Sequence, residues 1–430
     1  MNLADMLCYA DIEQLTRIAD TYRCECSSHS KNELIQTILT TVQRRDVLES
    51  QVEDMSLEDM RFLNSLLFEQ RAAYSLEELT ARAMLATPLD KTTDNQAAES
   101  PKPSMSSSAS LMETGSEKPS KSKPEASKQA GRKRAKREEA QLPPEPEHSA
   151  RSAIARFKRF GWLFNGFSHQ TRFLYHVPDD VKRKLCEAID RRFRDSLDVR
   201  GEPIAYRDER GLAESDARAL LGYVAQNDVP LTTDHVMYKR QLQQVLELMN
   251  VAEAVPGRSG WRFGYGRRYR DYPDRFSLLY DYCCYENWLH ERPEELVVTE
   301  DGGQVAADAV RIDPAAMYRF WLKLYKGPIP NLNALVQWVS RLAADWTTIS
   351  SLERILLPLV RPYYYDTPRD VLNRRVLGSM LHLGLLKWGE MEDGEAVVRM
   401  TPQGRQIVAG NEIRFEDRLS WAGAGEPRFL

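Results

Sequence analysis

The residues best suited to chemistry in this chain are arginines set among aromatic rings. Between positions 258 and 276 stand Arg258, Arg262, Arg267, Arg268, Arg270 and Arg275, interleaved with Trp261, Phe263, Tyr265, Tyr269, Tyr272 and Phe276. A guanidinium meets phosphate through a planar fork of donors, and rings of this kind stack on bases or brace the arginines beside them. Gly260, Gly264 and Gly266 would let a backbone approach closely. The competing reading is a β-ribbon whose alternate aromatics pack on a core and whose arginines form its wet face. A second basic group follows Ser149, expected to cap a helix from Ala150 to Phe160 that carries Arg151, Arg156, Lys158 and Arg159. Ile154 and Phe157 would face the core, leaving the cations for a groove, for flanking phosphates or simply for solvent. Arg369, Arg374 and Arg375 invite the same suggestion more weakly.

Catalytic patterns are poor by comparison. His29, His148, His169, His176, His235, His290 and His382 are scattered, with no His-Glu-x-x-His pair. Glu286, Glu291, Glu294 and Glu295 near Asp281 could gather round a metal, but carboxylates on a helix face are ordinarily solvated. Cys8, Cys24, Cys26, Cys186, Cys283 and Cys284 are too few for a disulfide scaffold in a chain of 430 residues and read as reduced thiols. Tyr282 to Tyr285 reads as buried helix. The expectation is a protein that is not an enzyme and uses no metal or cofactor.

The elements that position these groups show first in where the rings are missing. Of 39 Phe, Trp and Tyr, only Tyr9, Tyr22, Phe62, Phe68 and Tyr74 precede position 151, and none lies between Tyr74 and Phe157. A packed core needs such side chains, so the chain is not one continuous globule. Residues 88–148 are Ser, Pro, Lys, Glu and Ala, a composition expected to be disordered. Positions 118–137 hold nine Lys and Arg, including Arg132, Lys133, Arg134, Lys136 and Arg137, against the single acid Glu125. That stretch suits a mobile arm on phosphate backbone, or merely a solvated linker. Overall, 59 Lys and Arg against 63 Asp and Glu give a formal charge of −4, which does not argue against local basic stripes. A mean hydropathy of −0.52 and the lack of a long apolar run predict no membrane span, and Met1 to Asp5 has no basic, signal-like lead. A cytosolic protein is expected, nucleoid-associated if bacterial.

Helical periodicity recurs on both sides of the gap. Leu3, Met6 and Leu7, then Ile12, Leu15 and Ile18, precede a polar turn and a capping-box start at Ser30. Ser56 and Ser75 begin two more helices. After the gap, the 150–160 helix leads into a two-stranded ribbon, Trp162–Phe167 and Thr171–Pro178. A basic helix followed by a ribbon is the end of a winged helix, whose first two helices would then be residues 56–85. On this reading the low-complexity segment is an insertion inside one domain, tolerable because loop closure costs grow only logarithmically. Helices over 214–226 and from Leu231 to Met249, then 314–325, 331–343, 352–363 and 367–384, complete the pattern. A hairpin about Asp393-Gly394 and a last helix from Thr401-Pro402 follow.

Residues 1–45, two helices split by a polar turn and closing on Ser-Lys-x-Glu-Leu, resemble a SAP or Rho-N-terminal module. Leu383-Gly384-Leu385-Leu386, a hairpin and Thr401-Pro402-Gln403-Gly404-Arg405, with the Pro230-Leu231-Thr232 junction and Phe173 to Val181, resemble bacterial helicase-associated proteins related to the N-terminal region of XPB-type helicases. The resemblance covers residues 55–87 and 149–410 and implies an array of winged helices. No Gly-x-x-x-x-Gly-Lys-[Ser/Thr] loop accompanies it, so it implies an accessory role without a motor. The expected architecture is therefore mostly α with small β-hairpin wings. It comprises a helical module (1–50), a first winged helix (51–87 with 149–200) interrupted by 88–148, a second such domain (201–300), a helical connector (301–346), a third winged helix (347–412) and a tail (413–430). The expected function is non-catalytic binding of duplex DNA in transcription, repair or processing. The rival is an adaptor that uses its winged helices to hold proteins such as a helicase or nuclease.

Overall fold

Small polar caps and three-to-four-residue apolar spacing set the elements of the computed structural model, which describes residues 1–24, 30–42, 44–69, 71, 73–87, 146–257, 265–411 and 419, with backbone alone for 146–148. The described chain is mostly helical with small antiparallel sheets. Four helices open it: α1 (Leu3–Tyr9), α2 (Ile12–Thr21), α3 (Lys31–Val42) and α4 (Arg45–Glu53). Asp11 caps α2 by accepting the Gln14 N–H, and Leu3, Leu7, Leu15, Ile18, Leu34 and Ile38 turn inward.

Ser56 and Ser75 cap α5 (Leu57–Leu67) and α6 (Leu76–Ala86). The chain is next described at α7 (Pro146–Arg159), which begins ahead of the expected Ser149 with a proline at its first position. Helix α6 lies along α7, and Phe62 of α5 meets Phe157 of α7 with ring centroids 4.8 Å apart. Strands β1 (Phe164–Asn165) and β2 (Tyr175–His176) follow, with Tyr74 and Tyr175 exchanging two backbone hydrogen bonds of 2.8 Å. Asn165-Gly166 makes no two-residue turn. Gly166 instead donates to the Leu174 carbonyl, and Ser168 and Thr171 tie the longer loop.

Beyond α8 (Asp179–Asp195) and β3 (Ala205–Asp208) come α9 (Leu212–Gln226), β4 (Val229–Pro230), α10 (Lys239–Glu247), α11 (Asp274–Tyr285), β5 (Leu289–Glu291) and β6 (Glu295–Val298). Then α12 (Glu300–Ala306), α13 (Pro314–Tyr325) and α14 (Leu332–Leu342) lead to β7 (Thr347–Thr348) and α15 (Ile349–Leu356). A continuous helical run combines α16 (Pro368–Asp370), a π-helical stretch Val371–Leu377 and α17 (Gly378–His382). The hairpin β8 (Leu386–Glu390) and β9 (Ala396–Met400) and the closing α18 (Pro402–Gly410) complete the described fold.

One order of elements occurs three times: helix, short strand, two helices, hairpin. The first copy runs from α5 to β2 with Tyr74 as its strand, the second from α9 to β6, and the third from α14 to β9. In each, the short strand pairs with the second arm of the hairpin, as Tyr74 with β2, β4 with β6 and β7 with β9. Helix α14 joins the first copy to the third. Its buried Trp338 donates from Nε1 to Asn64 of α5 at 2.5 Å, with Phe68 and Phe193 edge-on to its ring. The second and third copies meet where Asp274, at the start of α11, accepts Arg374 at 2.5 Å and Arg375 at 3.2 Å.

Candidate nucleic-acid interface

Each copy's third helix carries the basic residues singled out by sequence or flanks them, and the three differ sharply in exposure. Helix α11 is buried from Arg275 to Cys284, and the α16–α17 run is buried over most of its length. Helix α7 presents a polar, basic face, because its apolar side (Ala150, Ile154 and Phe157) is spent on α6 and the first core. In the α16–α17 run, by contrast, the exposed Arg369 and Arg374 are paired with Glu353 and Asp274, and Arg375 is buried.

Along α7, Arg151 and Arg159 are exposed. Arg156 is turned elsewhere. It donates to both oxygens of buried Asp59 at 2.9 and 2.7 Å, and to Ser152 at 3.0 Å. Lys158 is half-buried, donates to Asn165 Oδ1 at 2.8 Å and lies 5.8 Å above the Tyr175 ring. Burial pulls its amine below the usual lysine range, and the neighbouring Arg17 adds to that while Asp11 opposes it.

The lower half of α7 forms one wall of a cleft of about 720 Å³. Helices α1 and α2 make the opposite wall, and the β1–β2 hairpin closes its end. Met6, Tyr9, Phe164 and Phe167 contribute its apolar lining, and Arg17, Lys158, Arg159 and Arg172 line it together with the carboxylates Asp11 and Glu13. Among the described residues Lys158, Arg159 and Arg172 have no carboxylate partner within ion-pair distance, whereas Arg17 is paired with Glu13. Tyr9 lies flat on Phe167, with centroids 4.3 Å apart and planes inclined by 18°. On the adjoining tip, the Arg172 guanidinium sits 4.6 Å over the Phe173 ring, which is 67% exposed. The N-terminal helices are fixed to the start of α8 and the end of α7, since the Met1 amine meets Asp179, Leu3 N–H donates to Asp180, and Tyr22 Oη donates to the Phe160 carbonyl.

The Arg/aromatic stretch takes a different form. Arg258 and Arg262 lie outside the described residues, as do Arg132, Lys133, Arg134, Lys136 and Arg137. From Tyr265 the backbone makes irregular turns up to α11, not a ribbon. Arg267 and Arg268 both bind Glu291, at 2.9 and 2.8 Å, and Tyr280 donates to the same carboxylate at 2.8 Å. Burial works against the charge of Glu291, but the Arg268 hydrogen bond and the two guanidinium charges outweigh it and hold the carboxyl below its usual range. Arg275 is buried on Asp216 at 2.5 Å, out of reach of any outside phosphate. Tyr265, Tyr272 and Phe276 are core rings. Arg270 alone of the described group is exposed, over Tyr269.

Of the acidic residues that could gather round a metal, Glu291 and Glu295 are ion-paired, Glu294 is exposed and Asp281 is buried on the Arg267 backbone N–H. The described residues hold no group of three His, Cys, Asp or Glu arranged for a metal ion. No described helix is long and apolar enough to cross a membrane. Arg17, Arg172, Tyr9 and Phe167 were not singled out by sequence. The cue available was slight: an Arg-Phe pair at a polar hairpin tip, and a lone tyrosine ending α1.

Set against known proteins, the chain matches no family model, no curated protein and no solved structure.

Proposed function

We propose that this protein is a non-catalytic DNA-binding factor, an accessory or regulatory component of transcription, repair or processing. The reading rests on one observation, the cluster of Lys158, Arg159 and Arg172 in the cleft beside α7, which among the described residues have no carboxylate within ion-pair distance. Cations left unneutralised in one place attract a polyanion, and contacts to phosphate release counterions. The thrice-repeated order of helix, strand, two helices and hairpin supports reading the chain as an array of three winged helices. Arg151 and the basic arm of residues 118–137, which rejoins the fold at the start of α7, would add duplex backbone contacts.

The test is fluorescence anisotropy of a labelled duplex at low and high salt, with Arg151→Ala/Arg159→Ala as the variant. Salt-sensitive binding weakened by the variant is expected. An intact chain with no salt-sensitive binding would reject the proposal.

An adaptor role is the second reading, and one feature favours it. Tyr363 and Asp366 close a tight turn by two backbone hydrogen bonds of 3.0 and 2.9 Å, and the residues at its tip, Tyr364 and Tyr365, are 61% and 69% exposed. Tyr364 sits at φ 49°, where bulky side chains are uncommon. Exposed tyrosines on a strained turn suit a protein interface. Pull-down of a partner by the intact chain, lost on Tyr364→Ala/Tyr365→Ala, is what this reading requires.

A further inference from the structure

We infer that the cleft between α1–α2, α7 and the β1–β2 hairpin holds a single strand of nucleic acid rather than a duplex. The inference rests on the DNA-binding reading and specifies which form of DNA the cleft takes. A major groove about 12 Å wide has room for one helix. Helix α7 does not stand alone at this end, because α2 packs on it and Tyr22 is hydrogen-bonded to Phe160, so its lower half cannot lie in a groove. A cleft of about 720 Å³ has the capacity of a ligand pocket for a few flexible units and is too small to enclose a double helix.

What lines it matches a single strand in kind. Strands without partners are held by cations tracking the backbone and by aromatic faces on which bases stack. Lys158, Arg159 and Arg172 supply the first. The Tyr9–Phe167 pair, with Tyr9 64% exposed, supplies the second, and the exposed Phe173 ring, outside the lining, stands on the same hairpin. Rings so exposed contribute little to the core, and the described contacts give Phe173 only its own neighbour, Arg172. Arg151, proposed above as a duplex contact, lies about two turns further toward the N-terminal end of α7 than Arg159. Together the two would suit DNA that passes from paired to unpaired.

Anisotropy titrations of the full chain with a labelled thymidine oligonucleotide and with a blunt duplex test this, alongside Tyr9→Ala and Phe173→Ala. Both substitutions are at exposed positions, so folding is retained, and a melt of each variant checks it. The expected result is tighter binding of the single strand than of the duplex, with each variant losing about fivefold or more for the single strand alone. Equal or tighter duplex binding, or single-strand affinity untouched by both variants, overturns the inference and leaves DNA binding standing. Binding of neither probe overturns both.

Discussion

Arg156 and Asp59, 97 positions apart, are joined by two hydrogen bonds of 2.9 and 2.7 Å. The pair fastens α7, which follows the low-complexity segment, to α5, which precedes it. Asp59 is buried and Arg156 about a third exposed. Removing the arginine leaves a carboxylate without its counterion in a dry place. Arg156→Ala should therefore cost roughly 2 kcal/mol of stability in urea unfolding, less than a fully buried pair because solvent reaches the guanidinium. Arg159→Ala should melt like the parent while weakening DNA binding. The two arginines lie on one helix turn, so the opposite result would reverse their assigned roles.

Deleting residues 100–140 removes the basic arm. Helices α6 and α7 already lie side by side, so a shortened connection between Thr87 and Pro146 need not disturb them. An unchanged melting temperature with weaker, less salt-dependent duplex binding is expected. Loss of folding on deletion would show that the arm does more than connect.

Asp281 in α11 is wholly buried, and burial pushes its carboxyl up to about 7 despite the 2.8 Å hydrogen bond from the Arg267 N–H. Unfolded, an aspartate titrates near 3.9. Between those values the folded chain binds a proton that the unfolded chain does not, so this group's contribution to stability is full below about pH 4 and falls as pH rises through 7. Asp281→Asn keeps an acceptor for Arg267 and removes the titration. It should flatten the stability profile over that range and, above neutrality, stabilise by up to roughly 4 kcal/mol. Denaturant midpoints at acid and mildly alkaline pH would read it.

Gly266 faces the same carboxylate. Its φ of +148° is one that side chains rarely adopt, and a Cβ there would lie 2.5 Å from Asp281 Oδ2. Gly266→Ala should destabilise by about 2 kcal/mol or more, and its effect should shrink if combined with an Asp281→Ala change that clears the space.

Much of the secondary structure was readable from local pattern alone. The helix over 314–325, the hairpin about Asp393-Gly394 and the helix after Thr401 stand where spacing, turn residues and a Thr cap placed them. Helices α4 and α8 show no clear apolar stripe in the sequence because charge dominates them. The buried Val181, Leu185 and Ile189 of α8 are diluted by Lys, Arg and Asp. The candidate site was less legible, since it depends on pairings distant in sequence. Arg267 and Arg268 look identical to free cations until Glu291, more than twenty positions on, is brought to them. Arg156 looks equivalent to Arg159 until Asp59 arrives. Tyr9 and Phe167 become a stacked pair only because the N-terminal helices fold back onto the hairpin.

The interruption between α6 and α7 also bears on how the molecule could be made. What unites the parts on either side is noncovalent: Phe62 on Phe157, Tyr74 on Tyr175, Arg156 on Asp59, and the N-terminal amine on Asp179. A cut within residues 88–145 would sever none of these. The chain is in effect two fragments that complement one another, and separately synthesised halves would be expected to reassemble, with the peptide link serving to keep them at high mutual concentration.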